Sequence, residues 1–192
     1  MEPVRMDHRR RVTRMLIRRA FTQLLQQKPI QGISVKELCA FAGINRGTFY
    51  AHYTDLYALF CELEEELLAD FERALAPLLA QGKEEVSPLE IAKSIFQCLQ
   101  ENGDICAVIL GPYGDKAFVA KVIGIGEERY LEVYSAAFPQ ASRRQLSLFY
   151  TFASAGCIGI LEKWFKGGMA EDAEELARAC ESIMMRGADF LR

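Results

Sequence analysis

Lys36, Arg46, Thr48, Tyr50 and His52 crowd ammonium, guanidinium, hydroxyl and imidazole donors into residues 34–53. Lys and Arg can bond the O6 and N7 acceptors of a guanine edge, whereas hydroxyl and imidazole groups suit phosphate oxygens. No nucleophile–histidine–acid set, phosphate-cradling glycine loop or metal-ligand spacing accompanies them. The chemistry of this segment is recognition.

Such donors need a scaffold, and the same residues encode one. Ser34 can N-cap a helix, and Glu37 stands at the offset that closes a capping box. Val35, Leu38, Cys39 and Ala42 recur at helical spacing and give that helix one apolar face. Gly43 supplies a turn, and Asn45 can cap a short second helix carrying Arg46, Thr48, Tyr50 and His52. Two short helices about a glycine turn form a helix-turn-helix whose second member can enter the major groove of DNA. A helical hairpin without a nucleic-acid role has similar signals, and the charge distribution separates the two.

Residues 1–53 hold ten Lys or Arg against three Asp or Glu, a local net of +7, and residues 54–192 net −10. The overall charge of −3 therefore conceals two opposite halves. Arg9, Arg10, Arg11, Arg14, Arg18 and Arg19 precede the motif directly. A basic surface beside a helix-turn-helix gains affinity for DNA by releasing condensed counterions, which is a better match than a membrane-surface patch.

The chain of 192 residues is long enough to bury a substantial core, and 51% hydrophobic with 26% charged content is that of a globular protein. No apolar run reaches the length of a membrane span, and the arginine-rich beginning lacks the apolar stretch of a signal peptide. An unexported, intracellular protein without membrane contact is expected. Cys39, Cys61, Cys98, Cys106, Cys157 and Cys180 include no Cys-x-x-Cys spacing, and only His8 and His52 accompany them. They read as reduced thiols packed as small hydrophobes, with a thiol redox sensor as the alternative, and neither a metal nor a cofactor is expected.

Helical periodicity dominates the rest, and no stretch alternates as a strand would. Residues 9–27 carry the stripe Val12, Leu16, Ile17, Ala20, Phe21, Leu24 and Leu25, with arginines opposite. Thr54 or Asp55 can cap a long helix to about Ala76, which Pro77 should kink or end. Gln81 to Pro88 reads as a loop. Helices follow at about 88–102, 104–111, 115–138, 142–166 and 171–191, with Gly124 and Gly126 able to loosen the third. The expected fold is all-α, with about nine helices. A helix-turn-helix domain is expected over residues 1–54 and a helical regulatory body over 55–192.

The chain resembles the TetR family of bacterial one-component transcription regulators. The resemblance is carried by Ala20-Phe21-x-x-Leu24-Leu25, by Ile33-Ser34-Val35-x-Glu37-Leu38-Cys39-x-x-Ala42-Gly43-Ile44, by Arg46-Gly47-Thr48-Phe49-Tyr50-x-His52-Tyr53 and by Asp55-Leu56-x-x-Leu59. In the C-terminal part, Gly156-x-x-Gly159-Ile160-Leu161-x-x-Trp164 resembles the penultimate helix of a subgroup common in Firmicutes. One departure stands out: many members place a lysine at the start of the fourth helix, where it meets a phosphate, and this chain has Leu56. The phosphate there either goes without a partner or is taken over by Thr54 and backbone amides.

The resemblance implies a homodimer reading a pseudo-palindromic operator and answering a small-molecule effector, most often as a repressor. It implies DNA contacts at Lys36, Asn45, Arg46, Gly47, Thr48, Tyr50, His52 and Thr54. Lys36, Arg46 and Thr48 are base-edge candidates, Gly47 allows close approach, and Tyr50 and His52 meet phosphates. Phe49 and Tyr53 pack the helix onto its domain. The last two long helices are the expected dimer interface, through Phe152, Gly156, Ile160 and Trp164 on one and Leu176, Cys180, Ile183 and Phe190 on the other. Aromatic walls suited to a largely apolar effector are expected from Phe96, Cys106, Tyr113, Phe118, Tyr130, Tyr134 and Tyr150. A co-regulator of the same fold that acts through a protein partner is the alternative reading. An enzyme falls well behind both.

Overall fold

Capped starts and glycine stops divide this chain into helices. The computed structural model describes residues 3–80 and 88–192, without the side chains at 3–7, 78–80, 88, 91, 125, 126, 128–130, 132, 133 and 137. Its helices are α1 (Pro3–Leu25), α2 (Val35–Ala42), α3 (Arg46–Tyr50), α4 (Leu56–Ala80), α5 (Pro88–Glu101), α6 (Gly103–Ile109), α7 (Lys116–Ala137), α8 (Arg143–Lys166) and α9 (Ala173–Gly187). Single 3-10 turns stand at Ile30–Gly32 and Ala188–Leu191, and no strand occurs among the described residues.

Side-chain caps set the starts. Asp55 Oδ1 accepts from Ala58 N at 2.8 Å, so Asp55 rather than Thr54 caps α4. Asp115 accepts from the amides of Ala117 and Phe118 at the start of α7, and Asp172 from those of Glu174 and Glu175 at α9. Ser142 and Gln145 close a complete capping box on α8. Each such cap stabilises its helix by about 1 kcal/mol. The turn between α6 and α7 depends on Gly114, where a Cβ would fall 1.8 Å from the Ile109 carbonyl oxygen.

Pro77 does not end its helix, and the single long helix expected at 115–138 stands as α7. Helix α4 runs through Pro77 to Ala80, because the ring removes only its own N–H bond, within the last turn and on an exposed flank. Helix α7 runs unbroken across Gly124 and Gly126, since flanking residues and packing against α8 outweigh the low helix propensity of glycine. The end of α9 tightens into the 3-10 turn Ala188–Leu191 rather than continuing as α-helix to Leu191. Of the expected loop at 81–88, residues 81–87 lie outside the described residues, and Pro88 opens α5.

One large core joins the amino-terminal helices to the body. Ile17, Phe21, Leu38, Phe49, Leu59 and Leu63 are fully buried in it and continue into Phe96, Ile105, Val108 and Trp164. Full burial of one such side chain contributes about 1.5–3 kcal/mol. Helix α5 lies between α4 and α9, α7 packs on α8, and short α6 touches α1, α5, α7 and α8. A smaller cluster of Leu146, Phe149, Ala188 and Leu191 ties α8 to the last turn.

Candidate nucleic-acid interface

Helix α2 starts where Ser34 Oγ accepts from Glu37 N at 3.2 Å. The expected box closes only on that side: the Glu37 carboxylate takes Lys28 Nζ at 2.6 and 2.8 Å instead. Lys28, with a smaller pull from the Ser34 backbone, holds Glu37 below the ordinary carboxylate range. Gly43, at φ 68°, ends the helix with its own N–H on Ala40 O and the Ile44 N–H on Cys39 O. That pair of bonds is a Schellman turn, and its left-handed residue favours glycine.

Asn45 then caps α3. Its Oδ1 accepts from Thr48 N at 2.7 Å and from the Thr48 hydroxyl at 3.0 Å. A Cβ on Gly47 would stand 3.3 Å from that same oxygen, so glycine keeps the cap tight. Phe49 turns inward and is fully buried, with Tyr50 edge-on at 5.4 Å and Tyr53 tilted at 5.8 Å. Burial of Phe49 aims the opposite side of this single turn at solvent. Lys36, Asn45, Arg46, Gly47, Tyr50 and Thr54 are exposed, and Thr48 and His52 are half-buried.

Beside α3 lies an open cleft of about 660 Å³ that brings Arg10, Arg11, Arg14 and Arg18 of α1 towards His52 and Tyr53. Burial, then Arg10 and Arg14, hold the His52 imidazole below its ordinary pKa, so it is neutral at pH 7. Two of these arginines are already paired within the protein. Arg14 Nη2 bonds Glu62 Oε1 at 2.6 Å and Glu66 Oε1 at 2.8 Å, and Arg18 bonds Glu66 Oε2 at 3.0 Å and approaches Asp104 of α6 at 3.6 Å. Arg9, Arg10, Arg11 and Arg19 are exposed on α1. At the expected lysine position, Leu56 is buried in the core, and exposed Tyr57 follows it.

The remaining candidates divide by burial. Phe96 and Cys106 are closely packed in the main core, Phe96 with its ring 5.8 Å from Trp164. Phe118 is buried at the start of α7, while Tyr113 is exposed on the turn before it. Tyr150 donates its hydroxyl to Ile123 O at 2.8 Å, Tyr134 stacks on Phe138, and the Tyr130 side chain lies outside the described residues. Those whose side chains are described line neither the α1–α4 cleft nor a second one of about 410 Å³ between α4 and α5, which Asp70, Arg73, Ser94, Gln97 and Glu101 border.

On α8, Phe152 is 76% exposed and Leu148 51%; on α9, Ile183 is 59% exposed, and in the 3-10 turn after it Phe190 is 55% exposed. Gly156 is exposed, with open space where a Cβ would stand, and Ile160 and Leu176 are half-buried against the core. Trp164 and Cys180 are interior: Trp164 is 1% exposed, and its Nε1 donates to Glu171 O at 2.9 Å, which pins the loop between α8 and α9. They give a neighbouring molecule no surface.

Sequence reasoning missed the acidic partners of the arginines. Glu62 and Glu66 stand four apart on α4, as Arg14 and Arg18 do on α1, and that matched spacing was the available signal. It also missed Glu64, whose Oε1 is buried without a hydrogen-bond partner. Burial, then Asp115, pushes the Glu64 carboxyl up to about 7, against an opposing pull from Lys121.

A capped helix-turn-helix with a donor-rich second helix, flanked by arginines and mounted on a helical body, defines a helical transcription-regulator fold. Residues 87–186 match the family profile TetR_C_8, described as a transcriptional regulator C-terminal region. The chain belongs to the TetR family of transcriptional regulators. Solved structures of that fold agree. A TetR-like transcriptional regulator from Rhodococcus sp. RHA1 superposes with a TM-score of 0.67 at 17% identity, covering 93% of this chain and 96% of its own. A TetR transcriptional regulator from Streptococcus agalactiae gives 0.59 at 23% identity, covering 94% and 98%. The fatty acid degradation regulator FadR from Bacillus halodurans gives 0.67 at 12% identity, covering 90% and 94%. Among curated proteins, none matches the sequence.

No helix of the described residues is long and apolar enough to cross a membrane, and no group of three or more His, Cys, Asp or Glu among them could hold a metal ion.

Proposed function

We propose that this regulator binds a pseudo-palindromic operator in double-stranded DNA as a homodimer, through α3 in the major groove. The observation that carries this is the outward face of α3: Arg46, Thr48 and Tyr50 around a buried Phe49, beside a basic α1. Arg46 and Lys36 read base edges, Gly47 lets the backbone approach, and Tyr50, His52 and Thr54 hold phosphates. The Thr48 hydroxyl already bonds Asn45, so its methyl group is the part offered to a thymine methyl.

The two protomers meet through α8 and α9. Phe152, Ile183 and Phe190 are large apolar side chains exposed together with the small Gly156, a combination that a second copy of the same surface would cover. Two short recognition helices then face successive half-sites about 34–36 Å apart. The protein acts as a cytoplasmic repressor by occupying its operator, and a largely apolar small molecule in the body formed by α5 to α8 changes that occupancy. The residues offered for this last step are Phe96 and Phe118, packed in the core of that body, and Tyr150, half-buried with its hydroxyl on Ile123 O of α7.

The test is a titration against the region flanking the protein's own gene, at several salt concentrations, with random duplex as competitor. One dimer bound per site, resistant to competitor, is the expected result. Binding no tighter than to random duplex, there and across a selection from random sequences, overturns the reading and favours a co-regulator working through a protein partner.

A further inference from the structure

Arg10, Arg14 and Arg18 follow one another at four-residue steps on α1, so they share the side of that helix that lines the cleft beside α3. Glu62 and Glu66, again four apart, line the same cleft from α4. The two stripes are unevenly paired. Arg14 takes both carboxylates, at 2.6 Å to Glu62 and 2.8 Å to Glu66. Arg18 takes the second oxygen of Glu66 at 3.0 Å and lies 3.6 Å from Asp104. Arg10 and its neighbour Arg11, nearer the start of α1, form no ion pair among the described residues.

We propose, on the reading of α3 as the DNA-binding helix, that Glu62 and Glu66 withhold Arg14 from the phosphate backbone and so limit the sequence-independent affinity for duplex DNA.

The cleft opens beside the end of α3, with Ala51, His52 and Tyr53 along its other edge. A duplex seated on α3 brings a phosphate strand alongside these residues. An arginine without a partner there neutralises a phosphate and releases condensed counterions, the role open to Arg10 and Arg11. Arg14 is exposed, so burial does not keep it from the same role. Its guanidinium is instead engaged by two carboxylates.

A phosphate approaching Arg14 meets both carboxylates as well. Screening at ordinary salt acts over about 8–10 Å, so like charges this close to the guanidinium still repel the phosphate. Glu62 is held in place by the Tyr53 hydroxyl at 2.9 Å, which fixes the mask to the end of the recognition segment. Ion pairs as exposed as these stabilise a fold little, so stability alone gives no reason for two carboxylates in a cleft otherwise lined by arginines. Glu65 supplies an internal control: it is exposed on the same helix and lies outside the cleft.

The experiment titrates the full-length protein with random duplex by fluorescence anisotropy at several salt concentrations. Glu62→Gln with Glu66→Gln keeps the shape of both side chains and an acceptor for Tyr53. This double variant should bind random duplex severalfold more tightly, with the slope of log K against log salt steeper by about 0.9, the value for one added phosphate contact. One contact is expected rather than two, because Arg18 retains Asp104. Glu65→Gln removes a negative charge without releasing an arginine and should leave the slope unchanged. Adding Arg14→Ala to the double variant should return the slope to the native value.

A second measurement needs no variant and so survives a failure of the double variant to fold. Dicarbonyl labelling of the native protein, read by mass spectrometry, should show Arg10 and Arg11 protected by duplex and Arg14 unaffected by it. An unmoved slope in the folded double variant, an equal gain from Glu65→Gln, a gain that persists without Arg14, or protection of Arg14 by duplex overturns the proposal. A native chain that binds no duplex at any salt overturns the DNA-binding reading and the proposal with it. A native chain that binds duplex with a slope the variants leave untouched overturns the proposal alone.

Discussion

Tyr53 donates its hydroxyl to Glu62 Oε1 at 2.9 Å and so fastens the end of the recognition segment to the long helix α4. Glu62 also holds Arg14 of α1, Arg14 reaches Glu66, and Glu66 holds Arg18, which approaches Asp104 at the start of α6. A continuous polar run thus leads from beside α3 into the body. Exposed pairs of this kind contribute between 0 and about 1 kcal/mol each, so their value is positional rather than energetic.

Tyr53→Phe removes one hydrogen bond and keeps the buried ring. Stability should fall by about 0.5–1.5 kcal/mol in denaturant unfolding, because Glu62 retains Arg14. Burial and Glu62 push the Tyr53 hydroxyl up to about 12, so it stays protonated and the loss should not vary between pH 6 and 9. A loss that vanishes over that range would contradict the assignment.

Replacing Arg10 and Arg11 by Ala should weaken binding to every duplex alike. For each phosphate that the variant no longer neutralises, the slope of log K against log salt should flatten by about 0.9. An unchanged slope in salt titrations would take these exposed side chains out of the interface.

Glu64 makes stability depend on pH. Its folded-state value, about 7, lies above the ordinary 4.5. The stabilising contribution is therefore complete below about 4.5 and is lost as pH rises through about 7. Glu64→Gln removes that dependence: its melting temperature relative to the native chain should climb between pH 4.5 and 8. A constant difference across the range would show that burial does not perturb this carboxyl.

Phe152→Glu introduces a charge at a side chain that is 76% exposed in the protomer. Analytical ultracentrifugation should show a shift towards monomer, with the helical circular dichroism unchanged. An undisturbed dimer would move the interface away from this face of α8.

Much of the fold was legible because each boundary had a local cause. Gly43, Asn45, Asp115, Ser142 and Asp172 each bond or bend their own neighbours, so the start or stop they encode survives any tertiary arrangement. Pro77 misled as a possible end of α4 because its cost is small in the last turn of a long helix. Glu37 shows a different limit. Its capping offset was visible, but its carboxylate went to Lys28, a competitor that periodicity does not reveal. Trp164 shows the same limit in packing, since a helical stripe cannot say which of its members face the protomer's own core.

Base reading by Arg46 is the central claim, and parallel selections from random duplexes with the native chain and Arg46→Ala test it most directly. The native chain should enrich an inverted repeat. The variant should bind that repeat about 1–3 kcal/mol more weakly per half-site while keeping its affinity for random duplex. Equal losses on both, or no enriched sequence from either protein, would contradict it.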